Sequence, residues 1–509
     1  MVTKRLFLAR FSGYIEDMPG FIRKVRTGSG ATAVQIVYKR GREVVGVKHI
    51  GSAHNEVELG ILVARAKEEK DAAQLKLFEV NEPEVYLERS YSGLLWDALI
   101  SAYRLLGFDC IKDEVFQQLV LARIIEPTSK LDSIRVLEGL GLAAPSNSSI
   151  HRCLKRINDT GYRSIVSSKC FERAAPSALT LVLYDVTTLY FEIQKEDGYR
   201  KPGLSKERRL EPQITVGLLV DKSGFPLEIT SYEGNKAEVK TIVPALQAFK
   251  SRHNLTDVTI TADSAMLSSE NLSELERLGY TYIVGSRNYK CPYEIEEYLK
   301  LPGAELKDGQ IFESKIKVTI ADKRTDRRAI YQYRQKRAKM DLLNIDKLIN
   351  KAQRMVEGTL KAKHNRFLRI TGEQKEINTV LVNTARKRAG IKGYVTNLDI
   401  PAGQVIDYYR QLFQVEKSFR IAKSDLKARP VFHHKRSSID AHLTIVFAAL
   451  AVARYIESMT MISVRRFVRT LLPIRTGVIS VNGSMLPLKP RLPQHVVDLV
   501  KSFNKFGGY

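Results

Sequence analysis

Asp185, Asp263 and Glu416 are the residues of this 509-residue chain whose types and settings could carry chemistry. Asp185 follows the apolar run Leu179-Thr-Leu-Val-Leu-Tyr184, which reads as a buried strand. Asp263 follows Val258-Thr-Ile-Thr-Ala262, which reads as another. Acids at the ends of paired strands lie close in space. Their oxygens can hold hard cations such as Mg²⁺ in near-octahedral geometry. Two such ions, about 3.5–4 Å apart, can activate an attacking oxygen and stabilise a leaving one. Taken singly, each aspartate also fits a plainer role, Asp185 as a turn residue and Asp263 as a helix cap.

Glu416 stands in a stretch, residues 404–428, that reads as one long helix. With Tyr409 at zero on a wheel of about 100° per residue, Glu416 falls near −20°, Arg420 near +20°, Lys423 near −40° and Lys427 near 0°. One acid thus lies between a phenol and three cations. Leu412, Val415, Phe419 and Leu426 form an adjoining apolar stripe that can bury against a sheet. Such a helix can present Glu416 to a metal and its cations to phosphates. A solvated charged face is the alternative.

The elements needed to position these residues are legible around them. Strands are expected at 179–185, 213–221, 225–232, 258–262 and 280–284, with the turn Asp221-Lys-Ser-Gly224 between the second and third. Helices are expected from about 239 to 249 and from Ser268 or Ser269 to Gly279. Three strands in hairpin order, then helix, strand, helix, strand, is the order of an RNase H-like α/β fold, a mixed sheet with helices on its faces. We take residues 176–287 and 393–460 as its two parts. A very basic insertion, 288–392, separates them, with a strand at 315–318 and a charged helix at 341–363.

Upstream, residues 1–60 read as a small β-rich domain with a basic surface (Arg23, Lys24, Arg26, Lys39, Arg40, Arg42). Residues 61–175 read as helical. An amphipathic helix at 56–80 leads in. Helices at Val115–Ile125, after Ser129, and at His151–Ile157 suit a helix-turn-helix-like unit. Its third helix carries Arg152, Lys155 and Arg156, which could face phosphates or base edges. Residues 461–509 form a partly irregular, proline-bearing tail.

Several motifs resemble one family. Tyr409, Glu416 and Lys423 occupy the Y, E and K positions of the signature Y-x2-R-x3-E-x6-K of bacterial insertion-sequence DDE transposases. Leu183-Tyr-Asp-Val-Thr-Thr188 and Thr261-Ala-Asp-Ser-Ala-Met-Leu-Ser268 resemble the first- and second-acid motifs of one branch. The likeness extends to Phe21-Ile-Arg-Lys-Val near the start, and the insertion before the third acid also fits. It implies that Asp185, Asp263 and Glu416 bind two Mg²⁺ or Mn²⁺ ions, and that Tyr409 and Lys423 hold the phosphate at the cleavage site. It further implies a dimer bridging two DNA ends. Leu412 departs from the signature's arginine, so Arg420 or Arg410 is expected to supply that cation. Thr187 and Thr188 can bond the first acid, or serve only as β-formers.

Composition agrees on the partner. Lys+Arg number 81 and Asp+Glu 56, a formal net charge of +25. Such an excess binds polyanions by counterion release, which points to double-stranded DNA: element terminal repeats and target. A membrane surface would need a strongly amphipathic basic helix, and none stands out. The longest apolar run, Leu443 to Ala453, is shorter than the ~20 residues of a spanning helix and reads as core. The N-terminal apolar stretch behind Lys4 and Arg5 is too short for a signal peptide. Cys110, Cys153, Cys170 and Cys291 form no C-x-x-C pair, against a zinc finger or a disulfide framework. The expectation is a cytoplasmic, nucleoid-associated transposase. The alternatives are a catalytically silent DNA-binding derivative, or another RNase H-like nuclease such as a junction resolvase.

Overall fold

The computed structural model describes residues 20–504, apart from 29, 72–84, 175–180, 193–195, 204–210, 254–257, 265–267, 287–290, 321–322, 362–363, 372–373 and 482. The chain divides into two compact units, one of residues 1–160 and 452–509 and one of residues 161–451.

The first unit begins with the antiparallel meander β1 (Gly20–Arg26), β2 (Thr32–Arg40) and β3 (Glu43–Ala53). Arg40 pairs with Glu43 across Gly41, whose positive φ of 64° closes the hairpin. The helix Glu56–Asp71 buries Leu62 and Ala66 against Val34, Ile36 and Ala53. The remainder of the expected 56–80 helix lies outside the described residues. The next strand, β4 (Val85–Tyr91), pairs with Thr476–Val481, so the expected irregular tail supplies two strands of a three-stranded sheet.

Helices Glu114–Ile125, Ser133–Glu138 and Asn147–Asp159 form the expected trio. Ser146 caps the third by accepting a hydrogen bond from Ser149 N at 3.2 Å. Arg152 and Lys155 are exposed there. Arg156 is exposed as well and pairs at 2.7 Å with Asp113, the N-cap of the helix Glu114–Ile125, which ties the two helices together.

The second unit is built on an eight-stranded mixed sheet, ordered β10-β11-β14-β9-β8-β5-β6-β7. The strands are β5 (Leu181–Tyr190), β6 (Gln213–Asp221), β7 (Pro226–Glu233), β8 (Thr259–Ala262), β9 (Thr281–Ser286), β10 (Ile311–Ile320), β11 (Lys323–Tyr333) and β14 (Ile391–Thr396), with β12 (Leu368–Thr371) and β13 (Gln374–Ile377) forming a separate hairpin. The order β5-β6-β7 is antiparallel, whereas β5, β8 and β9 run parallel. Such parallel strands are covered on both faces, which is why β8 and the first four residues of β5 are buried throughout. Two crossovers contain the helices α1 (Ile242–His253) and α2 (Ser269–Arg277), close to the sequence expectation. Ser268 caps α2 by accepting from Asn271 N at 3.1 Å.

The insertion contributes to this sheet. β10 and β11 form a long hairpin, and β11 pairs with β14 from Arg328↔Thr396 to Tyr333↔Ile391. The sheet therefore extends before Gly393, where the sequence reading resumed it. The charged helix, α3 (Gln335–Val356), starts six residues before its expected onset. It shares a small core with α4 (Thr379–Lys387) through Ile345, Phe367, Val382 and Ala385.

The helix Arg436–Thr460 is long and apolar enough to cross a membrane by length and composition, but its apolar window is 94% buried, as in a core helix.

Candidate active site

Asp185 is not at a strand end. β5 continues to Tyr190, which places Asp185 mid-strand, paired with Leu218 of β6. The expectation took the polar residue as a stop, but Thr187 and Thr188 are good strand formers and carry the ladder onward. Asp263 does follow β8 directly.

The ladder brings the two acids together. β5 and β8 pair in parallel as Leu181↔Thr259, Val182↔Ile260 and Leu183↔Thr261. Carried two residues on, this register sets Asp185 level with Asp263. Adjacent strands lie about 4.8 Å apart, and residues two apart share a face, so both carboxylates emerge together. The same row continues sideways. β8 pairs with β9 up to Ala262↔Val284, which sets Asp263 level with Gly285, and Gly285 pairs with Tyr394 of β14.

Gly285 leaves a gap in that row, and Tyr409 fills it. A Cβ added at Gly285 would lie 2.6 Å from the Tyr409 hydroxyl, so this close approach requires glycine. Tyr409 closes the helix α5 (Ala402–Arg410), which packs over β8, β9 and β14. Its hydroxyl donates to Asp263 Oδ1 at 3.1 Å, and Ser264 N donates to the same oxygen at 2.6 Å. Among the described residues no hydrogen bond goes to Asp263 Oδ2, and Asp263 is exposed. One carboxylate oxygen is thus fixed by two donors while the group remains accessible. That arrangement, and a donor set made only of oxygens, fits a hard divalent cation. Among the described residues no three His, Cys, Asp or Glu side chains are yet close enough to form one metal cluster.

Glu416 lies on a separate helix, α6 (Phe413–Arg420), which packs on β5 and β6 and is followed by a π-helical turn, Ile421–Asp425. The single helix expected over 404–428 is therefore three pieces. At the first joint, Leu412 N bonds Tyr409 O at 3.0 Å and Val415 N bonds Leu412 O at 3.2 Å, both tight three-residue steps. Such steps turn the chain by about 120° per residue, and a π turn by less than an α-helix does, so the stripe computed at a constant angle is bent at both joints. The apolar stripe still holds, with Leu412, Val415, Phe419 and Leu426 all buried. Glu416 is exposed, within electrostatic reach of both Tyr409 and Lys392.

Lys392 was not anticipated. It sits on β14 two residues before Tyr394, on the same face, with its ammonium 4.4 Å from the Tyr409 ring centre. Tyr394 meets that ring edge-on at 4.9 Å. Burial lowers the Lys392 pKa and the charge of Arg337 lowers it further, while Asp263 and Glu416 pull it back up. Burial, then the charge and hydrogen bond of Asp263, holds the Tyr409 phenol far above its usual range, so it remains a donor. The alternation Lys392-Gly-Tyr394 was the available signal for this pair.

The other expected cations are dispersed. Arg410 bonds Asp407 at 2.9 Å and Gln332 of β11 at 3.1 Å. Arg420 is exposed. Lys423, in the π turn, borders a small apolar cavity with Thr187 and Phe419, which places it on the Asp185 side. Residues 265–267 of the second-acid motif lie outside the described residues.

Residues 176–452 match the family described as transposase DDE domain. The chain belongs to that family. It is a DNA transposase with nuclease and strand-transfer activity, and its family generally uses divalent metal ions. The cryo-EM structure of a piggyBac transposase synaptic complex with hairpin DNA aligns with TM-score 0.35 and 12% identity, over 75% of this transposase and 69% of that chain. That similarity is too low to add to the fold assignment. No curated protein matches the transposase.

Proposed function

We propose that Asp185, Asp263 and Glu416 are the catalytic acids of this transposase, and that together they hold two Mg²⁺ or Mn²⁺ ions. The hydrogen bond from Tyr409 to Asp263, beside an Asp185 on the same ladder level, is the observation that carries this reading. Bound there, the ions would lower the cost of deprotonating an attacking water or 3′-hydroxyl and of charge on the leaving oxygen. The protein's own share is geometry. β5 and β8 fix two carboxylates on one face, Tyr409 sets the rotation of Asp263, and α6 carries Glu416 toward them. No protein nucleophile is needed for in-line attack on a phosphodiester.

Tyr409, Lys423, Arg420 and Arg410 hold DNA phosphates around the scissile bond in this proposal, Arg420 and Arg410 standing in for the cation absent at Leu412. The transposase acts as a homodimer on double-stranded DNA, bridging element terminal repeats and delivering them to a target by cut-and-paste transposition. It is an enzyme of a bacterial insertion sequence, cytoplasmic and nucleoid-associated. Calorimetric titration of Mn²⁺ into the complex with an end duplex tests the metal assignment. Wild type is expected to bind two ions, and Asp263→Asn to lose at least one. Equal stoichiometry in both proteins would refute it.

A further inference from the structure

Asp263 borders a cavity that the proposal above does not use. It holds about 410 Å³ and opens beside Asp263 and Tyr409. That volume lies in the range of small-ligand clefts, about 300–1,000 Å³, and is larger than a lone inorganic anion needs. The insertion supplies much of the lining: Arg337 from α3, Arg366, and Arg388 just beyond α4, with Lys392 from β14.

The charge on this lining is unbalanced. Among the described residues of the lining, four cations face two carboxylates, Asp263 and Asp341. Asp341 is already engaged, 3.5 Å from Arg337 Nε and accepting Gly390 N at 3.0 Å. The cations also feel one another. Arg337 opposes the charge of Lys392, and Arg366 that of Arg388, in each case adding to the effect of burial. Gathering like charges around a nucleotide-sized space is unfavourable unless an anion enters it. Guanidinium groups remain charged in proteins and present paired donors that match phosphate oxygens. The cavity's border with Asp263 points to a phosphate attached to the strand under attack.

We propose that this cavity is a second phosphate subsite, in which Arg337, Arg366, Arg388 and Lys392 hold a DNA backbone phosphate neighbouring the scissile one. The inference rests on Asp263 being catalytic. It gives the insertion a defined task, to seize the strand beside the acids.

The test combines protein and DNA changes. Single neutral methylphosphonates are placed along an end duplex, and binding and single-turnover cleavage are measured for wild type, Arg366→Gln/Arg388→Gln and Lys392→Met, each checked for an unchanged melting temperature. In wild type, one position besides the scissile phosphate should weaken binding when neutralised. In the variants that position alone should lose its effect, and the fall in affinity between ~50 and ~200 mM salt should shrink about 3- to 4-fold. The Lys392→Met protein serves if the double variant fails to fold. An interference pattern identical in wild type and variants would overturn the proposal. So would inorganic phosphate that binds the cavity without changing any methylphosphonate effect, which would assign it to a free anion. Asp263→Asn separates the two claims: full cleavage by that variant sinks the catalytic assignment, whereas the position-specific binding effect reports on the subsite alone.

Discussion

The Tyr409 hydroxyl donates to Asp263 Oδ1 at 3.1 Å across the gap left by Gly285, and so links the helix that precedes Glu416 to the strand end that carries the second acid. This contact joins parts of the chain 146 residues apart. It makes the orientation of one acid depend on the seating of α5.

Tyr409→Phe keeps the ring against Tyr394 and Lys392 and removes only the donor. A hydrogen bond to a charged group is worth about 1.5–3 kcal/mol, so cleavage should fall about 10- to 100-fold, while DNA affinity, spread over many phosphates, falls only by the share of the one contact that Tyr409 makes. Gly285→Ala should have a similar effect by displacing the hydroxyl. Because both act on one contact, the double variant should be no worse than the more damaging single one. Additive losses in single-turnover rates would show that the two residues act separately.

DNA binding should depend steeply on salt, because the formal net charge is +25. Affinity measured by anisotropy is expected to drop by orders of magnitude between about 50 and 200 mM salt. A flat profile would remove backbone phosphates as the main partner.

His253 should make the fold acid-sensitive. It stacks on Phe171 at 4.2 Å and meets Phe249 at 4.7 Å, and its Nε2 is buried without a hydrogen bond among the described residues. Burial first, then the charge of Arg252, lowers its pKa to about 4. Between that value and the ordinary 6.5, an unfolded chain takes up a proton that the folded one refuses. Stability is therefore complete above pH ~6.5 and declines as pH falls toward 4. Thermal melts should show this slope, and His253→Phe should flatten it. An unchanged slope would mean that other groups dominate.

The sequence exposed the acids and most of the sheet for a physical reason. β6, β8 and the first four residues of β5 are buried along nearly their whole length, so an acid that follows one of these runs stands out. The third acid's surroundings were less legible. A wheel assumes constant rotation, and the tight steps at Leu412 and the π turn at Lys423 violate that assumption without any glycine or proline to mark them. β11 was hidden for a different reason. Its start, Lys-Arg-Thr-Asp-Arg-Arg, is too charged to read as a strand, and it is held by pairing to β10 along its length and to β14 from Arg328 onward. Lys392 and Gly285 matter only through the row that joins Asp263, Gly285 and Tyr394, and a register between strands distant in sequence is invisible in any single segment.

The most direct test of the catalytic assignment is cleavage of a labelled duplex carrying the element's terminal repeats, with Mg²⁺ and with EDTA, by wild type and by Asp185→Asn, Asp263→Asn and Glu416→Gln. The account predicts nicking at the repeat boundary by wild type in Mg²⁺ alone, no nicking by any variant, and near-normal DNA binding by all four proteins. Nicking by wild type in EDTA, or by any one of the three variants at the wild-type rate, would contradict it.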